Sequence, residues 1–318
     1  MIKRFIFFFF TLMILASPPL CAQQPMRIGT NVWPGYEPLY LASSLSNWRE
    51  QDQIRLVEYP SSSEVLRAFR NNAIEAATLT LDEALALRQA KLPIQIILVM
   101  DVSEGGDVIL AHPGIDRFDQ LKGKRVAVET SALGAYMIIR ALEIHNMSLP
   151  DIVIEHLDVS SHEAAYRNGL VDAVVTFEPI RTRLLSLGAK ELFDSRQIPG
   201  EIVDVLVVHQ ALLRERPHLV RKLLADWFNA LDYLQSQPQQ AAETMSKRLG
   251  LSPSEVLQSY QGLRLPDLRQ NHEMLEGETP SLGNTINKLA SVMKQNRLLP
   301  SWVDIEDLFN GSFLPEKK

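Results

Sequence analysis

Between residues 26 and 100 the chain alternates short apolar runs with helix-patterned segments, and this alternation constrains its fold more than any other feature. MRIGTN (26–31) and residues 54–59, 76–80 and 94–100 read as strands. Residues 38–44 read as the first turns of a helix, because proline is tolerated there. PSSSE (60–64) supplies hydroxyls near a cap and an acid in the first turn, ahead of an apolar face of Val65, Leu66, Phe69 and Ile74. Residues 81–89, rich in Ala and Leu, are a further helix. Strand–helix alternation predicts an α/β fold, a mostly parallel sheet with helices on both faces.

A second cycle follows. Strands are expected at 108–111, 125–129, 152–156 and 172–176, with helices opening at TSALG (130–134) and SSHE (160–163). A last strand is expected at 203–208. From Ala211 onward apolar spacing of i, i+3, i+4 predicts helices over 212–234, 240–249, 253–260, 282–295 and 302–308. NAIEAA (72–77) and NGLVDA (168–173) echo each other, each closing a hydroxyl-capped helix and leading into a strand. The echo fits two similar units, one in each of two lobes, although helix-to-strand turns often look alike.

The N-terminus is of another kind. Lys3 and Arg4 precede an apolar run over 5–16 and then SPPLCAQQ, the three-part layout of a secretory signal cut after Ala22. Residues 1–22 are therefore expected to be a signal peptide, and the mature protein to cross a membrane. Cys21, the chain's single cysteine, could mark a lipid anchor, but Pro18-Pro19-Leu20 is a poor approach to that processing. A formal charge of −6 with no basic run argues against a nucleic-acid partner. The seven histidines are scattered without ligand spacing, and neither GxSxG nor GxxxxGK[ST] occurs. No metal, cofactor or catalytic set is expected.

In open parallel sheets a ligand meets the carboxyl ends of strands and the amino ends of the helices that follow, where unpaired N–H groups lie. Five segments fall at such places: NVWPGY (31–36), PSSS (60–63), TLTLD (78–82), TSA (130–132) and FEP (177–179). Ser, Thr and Asp also cap helices with no ligand present. Trp33 and Tyr36 flank a glycine turn, so their rings could wall a site or simply plug the gap between loop and helix; Tyr36 has a polar end suited to a partly wet place. Asp107, Glu129 and Glu178 could face a ligand or serve as caps and ion-pair partners.

Several motifs, taken in order, carry a resemblance. They are WPGYEPLYLA (33–42), Ser63-Glu64 with Ala68-Phe69, LTLDE (79–83), DQLKGKRVAV (119–128), GLVDAVVTFEP (169–179), and LFDS (192–195) with IPG (198–200). The chain resembles the periplasmic substrate-binding proteins of ABC transporters for nitrate, sulfonates and taurine, in the broad group that also holds thiamine-precursor-binding relatives. The resemblance implies a type II periplasmic binding protein of two lobes, each a mostly parallel sheet flanked by helices. One lobe would take 23–107 and 203–318, the other 108–202, with hinges near Val108 and Val205. It implies a monomer that binds a small organic or anionic solute between the lobes and delivers it to an inner-membrane permease. By position, Trp33, Tyr36, Ser62, Ser63, Thr80 and Asp82 are implied as first-lobe ligand contacts, Asp107 as a contact near the crossing, and Thr130, Ser131 and Glu178 as second-lobe contacts. Glu104 departs from the serine that many relatives carry there. Together with Glu129 it adds negative charge near the cleft, which disfavours a small anion and suits a zwitterionic, amine-bearing or aromatic heterocyclic solute. Two alternatives remain: a ligand-dependent sensor docking to another membrane partner, and an enzyme related to thiamine-precursor synthases. The latter use a cysteine-rich motif that this chain lacks.

Overall fold

Two sheets organise the molecule, and the chain passes between them twice. The computed structural model describes residues 24–48, 53–129, 131–277 and 280–316; the expected leader, Cys21 and Thr130 lie outside the described residues. Strands β1 (Met26–Thr30), β2 (Ile54–Glu58), β3 (Ala76–Thr80) and β4 (Ile94–Ser103) enclose helices α1 (Glu37–Leu45), α2 (Ser62–Arg70) and α3 (Leu81–Gln89). The chain then crosses to β5 (Asp107–Ala111), β6 (Arg125–Val128), β7 (Val153–His156), β8 (Ala173–Phe177) and β9 (Lys190–Asp194), with α4 (Ala132–Ile144), α5 (Val159–Arg167) and α6 (Ile180–Ser186) between strands. It returns through β10 (Val203–His209).

The first sheet runs β11-β4-β10-β3-β1-β2 and the second β7-β6-β8-β5-β9, where β11 is the short pair Leu263–Arg264. In the first, β1 to β4 share one direction while β10 and β11 oppose it; in the second only β5 is reversed. The reversals have a topological cause. β5 and β10 each enter from the other sheet, with no crossover helix to turn them parallel, and β11 is a two-residue edge strand supplied by the tail. This two-sheet, helix-flanked α/β architecture agrees with the expected fold class.

The helical tail is α7 (Gln210–Glu215), α8 (Pro217–Ser236), α9 (Pro238–Leu249), α10 (Pro253–Ser259), α11 (Leu268–Leu275) and α12 (Ser281–Gln295). Two expectations need correction here. The single helix expected over 212–234 is broken at Arg216, because Pro217 lacks the N–H that would continue α7 and instead opens α8. The helix expected over 302–308 does not form. Its carbonyls serve other donors: Arg88 binds the oxygens of Asp304 and Glu306, and Ile96 of β4 binds Leu308 O at 2.7 Å. The terminal chain thus covers part of β4 by backbone pairing. No described helix is long and apolar enough to cross a membrane.

The core runs through the middle of the first sheet. From Ile96 to Met100, and from Val205 to Val208, the side chains are almost wholly buried. Two acids, Asp101 and Asp204, interrupt those apolar strands, and both are buried as well.

Candidate functional site

The ends of β1 and β3, the start of β10 and the start of α2 face the start of β5, the end of β8 and the start of α4. The cleft between them is nearly shut, with a cavity of ≈ 10 Å³. Asn31, Trp33, Tyr36, Ser62, Thr80 and Asp204 line it from the first sheet; Asp107, Leu133 and Phe177 line it from the second. Small-molecule sites commonly span about 300–1,000 Å³, so the two sides stand close together here.

The WPGY turn builds one wall. Pro34–Tyr36 form a single tight turn of helix, with Tyr36 N bonded to Trp33 O at 3.0 Å. Its two aromatic side chains each find a carboxylate. Trp33 Nε1 donates to Asp101 Oδ2 at 3.1 Å, and the Tyr36 hydroxyl donates to Asp204 Oδ1. Tyr260 reaches in from the tail and donates to Pro34 O at 2.8 Å. The glycine is needed for lack of space rather than for its backbone freedom. A Cβ on Gly35 would lie 1.9 Å from Asp101 Oδ2 and 2.5 Å from the Trp33 indole nitrogen. Across the cleft the Trp33 ring meets Phe177 edge to face, centroids 5.5 Å apart.

The floor is acidic for reasons of register. Asp204 on β10 is paired with Thr80 on β3 and with Asp101 on β4, so the three stand in a row across the sheet. Asp101 and Asp204 stand side by side on paired strands, and burial raises the pKa of both. Mutual repulsion raises Asp204 further. On the second sheet Asp107 lies opposite Phe177. Burial pushes Asp107 up to about 7, against a hydrogen bond from Ser103, while the neighbouring Asp82 adds to the rise. Asp82 and Glu83, at the start of α3, are also raised by burial. Glu83 folds back to accept from Thr80 N at 3.1 Å. A buried carboxylate is disfavoured in its charged form unless something compensates it.

The expected contact residues fall into distinct situations. Trp33, Tyr36, Ser62, Thr80 and Asp107 line the cleft together. Ser63 points across it: its N–H and hydroxyl both donate to Glu129 Oε1, at 3.2 and 3.1 Å. Asp82 is buried beside the cleft, and its Oδ2 has no partner. Ser131 is the residue before α4 and its buried hydroxyl has none either. Glu178 is engaged elsewhere. It accepts from Thr182 N–H and hydroxyl and from Arg181, all at 3.1 Å, which fixes the start of α6. Glu104 pairs with Arg264 at 2.9 Å on the surface. Asn31 and Phe177 fall within the segments that the sequence placed at the site, whereas Leu133 and Asp204 lie outside them. Asp204 had a legible signal, a lone acid inside the apolar run IVDVLVV (202–208).

The crossings are tied to each other just below the cleft. Ser103 and Ser195 join hydroxyl to hydroxyl at 2.8 Å, Gly105 N donates to Ser195 Oγ at 2.6 Å, and Asp107 N to Ser103 Oγ at 3.2 Å. Glu104 and Gly106 both bond Gly262 O. Gly106 has no room for a side chain, since a Cβ there would sit 2.7 Å from the Trp33 ring.

Comparison with known proteins bears on this arrangement. A family model described as the NMT1-like family matches residues 21–250. A protein of Escherichia coli (strain K12) named for aliphatic sulfonate binding is 24% identical over 258 residues, 80% of this chain and 78% of its own length. The crystal structure of the periplasmic aliphatic sulphonate binding protein SsuA from Escherichia coli superposes with a TM-score of 0.73 at 20% identity, covering 93% of this chain and 94% of that one. The alkanesulfonate-binding protein SsuA from Xanthomonas axonopodis pv. citri, bound to MOPS, gives 0.76 at 18% identity, covering 90% and 98%.

Proposed function

The chain belongs to the NMT1-like family, and from that premise we propose that it is a periplasmic solute receptor of the ABC-importer kind. It binds one small solute between its two sheets and presents the closed form to a permease in the inner membrane. The carrying observation is the cleft itself, where side chains from two separately built sheets converge and only two chain crossings join the halves. Residues 23–107 and 203–318 act as one lobe and 108–202 as the other. Solute entry requires the lobes to part, a hinge motion absorbed at the crossings beside Val108 and Val205. The names of the related binding proteins support the importer role. Trp33, Tyr36, Ser62, Thr80 and Asp107 are the proposed contacts, Asp82 and Ser131 their buried neighbours, and Ser63 a bridge between lobes.

Thermal melting against a solute panel tests this. A bound solute at a hundred- to thousandfold excess over its Kd should stabilise the protein by roughly 3 to 4 kcal/mol. The response should be saturable and should be lost in Trp33→Ala. A flat panel, repeated on protein unfolded and refolded to strip retained solute, would count against the receptor reading.

A further inference from the structure

We propose, building on the receptor reading above, that the cleft takes an organic cation, an ammonium or amidinium compound, in preference to a sulfonate. Three independent features of the site point the same way. The first is charge. Asp107 and Asp204 line the cleft, Asp101 is paired with Asp204 on the neighbouring strand, and Asp82 is near enough to repel Asp107. Among the described lining residues none is Lys, Arg or His. The nearby guanidinium groups are committed: Arg248 to Glu37 and Glu58, Arg140 to Glu201, Arg181 to Glu178 and Glu191. A sulfonate would enter a buried carboxylate cluster with no cation to meet it, which costs affinity.

The second feature is the occupancy of two of the three helix N-termini at the cleft, the third being the start of α4, which has no side-chain cap. A helix N-terminus is the ordinary place for a sulfonate or phosphate, because its free N–H groups and dipole favour negative charge. The N-terminus of α2 faces the cleft, but Glu129 from the other lobe already sits there, accepting from both donors of Ser63. At α3 the chain's own Glu83 fills the same role at Thr80 N.

The third is the set of unmet hydrogen bonds: beside the hydroxyls of Thr80 and Ser131, which donate or accept, two unpartnered atoms are acceptors. Asn31 lines the cleft with 4% of its surface exposed, and its Oδ1 has no donor. Asp82 Oδ2, equally buried, has none. Unpaired buried acceptors are costly and are relieved by a ligand that brings N–H groups. Trp33 and Phe177 supply ring surface for the remainder of such a ligand, or for the charge itself through cation–π attraction.

Isothermal titration at pH 8 distinguishes the possibilities. The probes are putrescine, agmatine and benzamidine as cations, ethanesulfonate as the anion, and thymine as a neutral heterocycle. At least one cation should bind saturably at one site, with ethanesulfonate silent. Asp107→Asn and Asp204→Asn should each weaken that binding by about tenfold or more, and Asn31→Ala by a smaller factor. Asparagine matches aspartate in shape, and circular dichroism confirms that each variant is folded. Binding of ethanesulfonate or thymine alone overturns the cation class and leaves the receptor standing. Cation binding that none of the three variants weakens places the ligand elsewhere and also overturns it. No binding by any probe overturns the cation class, while the receptor reading stands or falls on the wider melting panel.

Discussion

The rings of Trp33 and Phe177 meet edge to face at 88° although they belong to different sheets. Trp33 is held by its bond to Asp101, and Phe177 by its place at the end of β8 opposite Asp107. The pair is therefore a direct apolar contact between the halves. Phe177→Ala removes it and leaves a void, which should destabilise the folded protein by about 3 kcal/mol. It should also enlarge the radius of gyration of the solute-free protein in small-angle scattering, since the halves lose a contact that draws them together. A loss of stability below about 1 kcal/mol, with unchanged scattering, would show that the contact does not matter to closure.

Gly35 makes a second prediction because its neighbours leave no room. Gly35→Ala drives a methyl into Asp101 and the Trp33 indole. Overpacking of this kind commonly costs about 1–3 kcal/mol, and here it also breaks the Trp33–Asp101 hydrogen bond. The near-ultraviolet circular dichroism of the tryptophans should change along with the loss of stability. Gly283→Ala is the contrasting case. In helix α12 its Cβ would meet only the Phe309 ring, at 3.9 Å, so relief of backbone entropy should stabilise the protein by up to ~1 kcal/mol. If both variants behave alike, the crowding around Gly35 is not as described.

These two residues also mark how far the sequence could be read. The WPGY turn was recognisable as a strand end with two rings, because proline, glycine and aromatics carry local signals. That its rings would be pinned by Asp101 and Asp204 was not visible. Each of those acids lies in an otherwise apolar strand, and only the register of β10 between β3 and β4 brings them to the same point. Strand order is a long-range property that local patterning does not encode. The same holds for β9 and β11, which pair at sheet edges, and for 302–308, whose apolar spacing looked helical. That segment gave up its helix because Arg88 and Ile96 offered its carbonyls other partners. Glu178 shows the opposite limit. It looked like a ligand contact because it ends a strand, yet its neighbours Arg181 and Thr182 satisfy it locally.

The acid cluster predicts an inverted pH dependence in the neutral range. Asp107 is pushed up to about 7 by burial, and Glu37 to about 7 by burial against its partner Arg248. Asp101, Asp204 and Glu83 are raised in the same direction, also by burial first. In the unfolded chain such groups titrate near 4. Between about pH 4 and pH 7 the folded state thus holds more protons than the unfolded one, and stability falls as pH rises. Glu201, Asp172 and Asp194 have lowered values; their contribution is lost only at lower pH, as each is protonated in the folded state. The urea midpoint of solute-free protein should therefore peak at about pH 4 and decline toward pH 8. Asp107→Asn should flatten the decline. A midpoint that climbs steadily from pH 5 to pH 8 would contradict the buried cluster.

The Ser63–Glu129 contact supplies the last prediction, which concerns kinetics more than stability. Two donors at the start of α2 converge on one carboxylate oxygen beyond β6, so the contact exists only while the halves are together. When the cleft opens, both partners regain water, and only the net difference counts. A hydrogen bond to a charged group is worth about 1.5–3 kcal/mol net, and Ser63→Ala removes one of the two while leaving the backbone N–H in place. The closed fraction of the solute-free protein should fall by roughly tenfold in closed-to-open ratio, read by distance labels placed on the two halves. Dissociation of a bound solute should speed up by a similar factor in stopped flow, while the urea midpoint stays close to wild type because each half keeps its own core. Glu129→Gln retains the acceptor but loses the charge, and it should fall between the two. Equal dissociation rates in all three proteins would mean that closure is held by the other contacts between the halves, among them Trp33–Phe177, Arg183 to Leu249 O and Asn296 to Glu143.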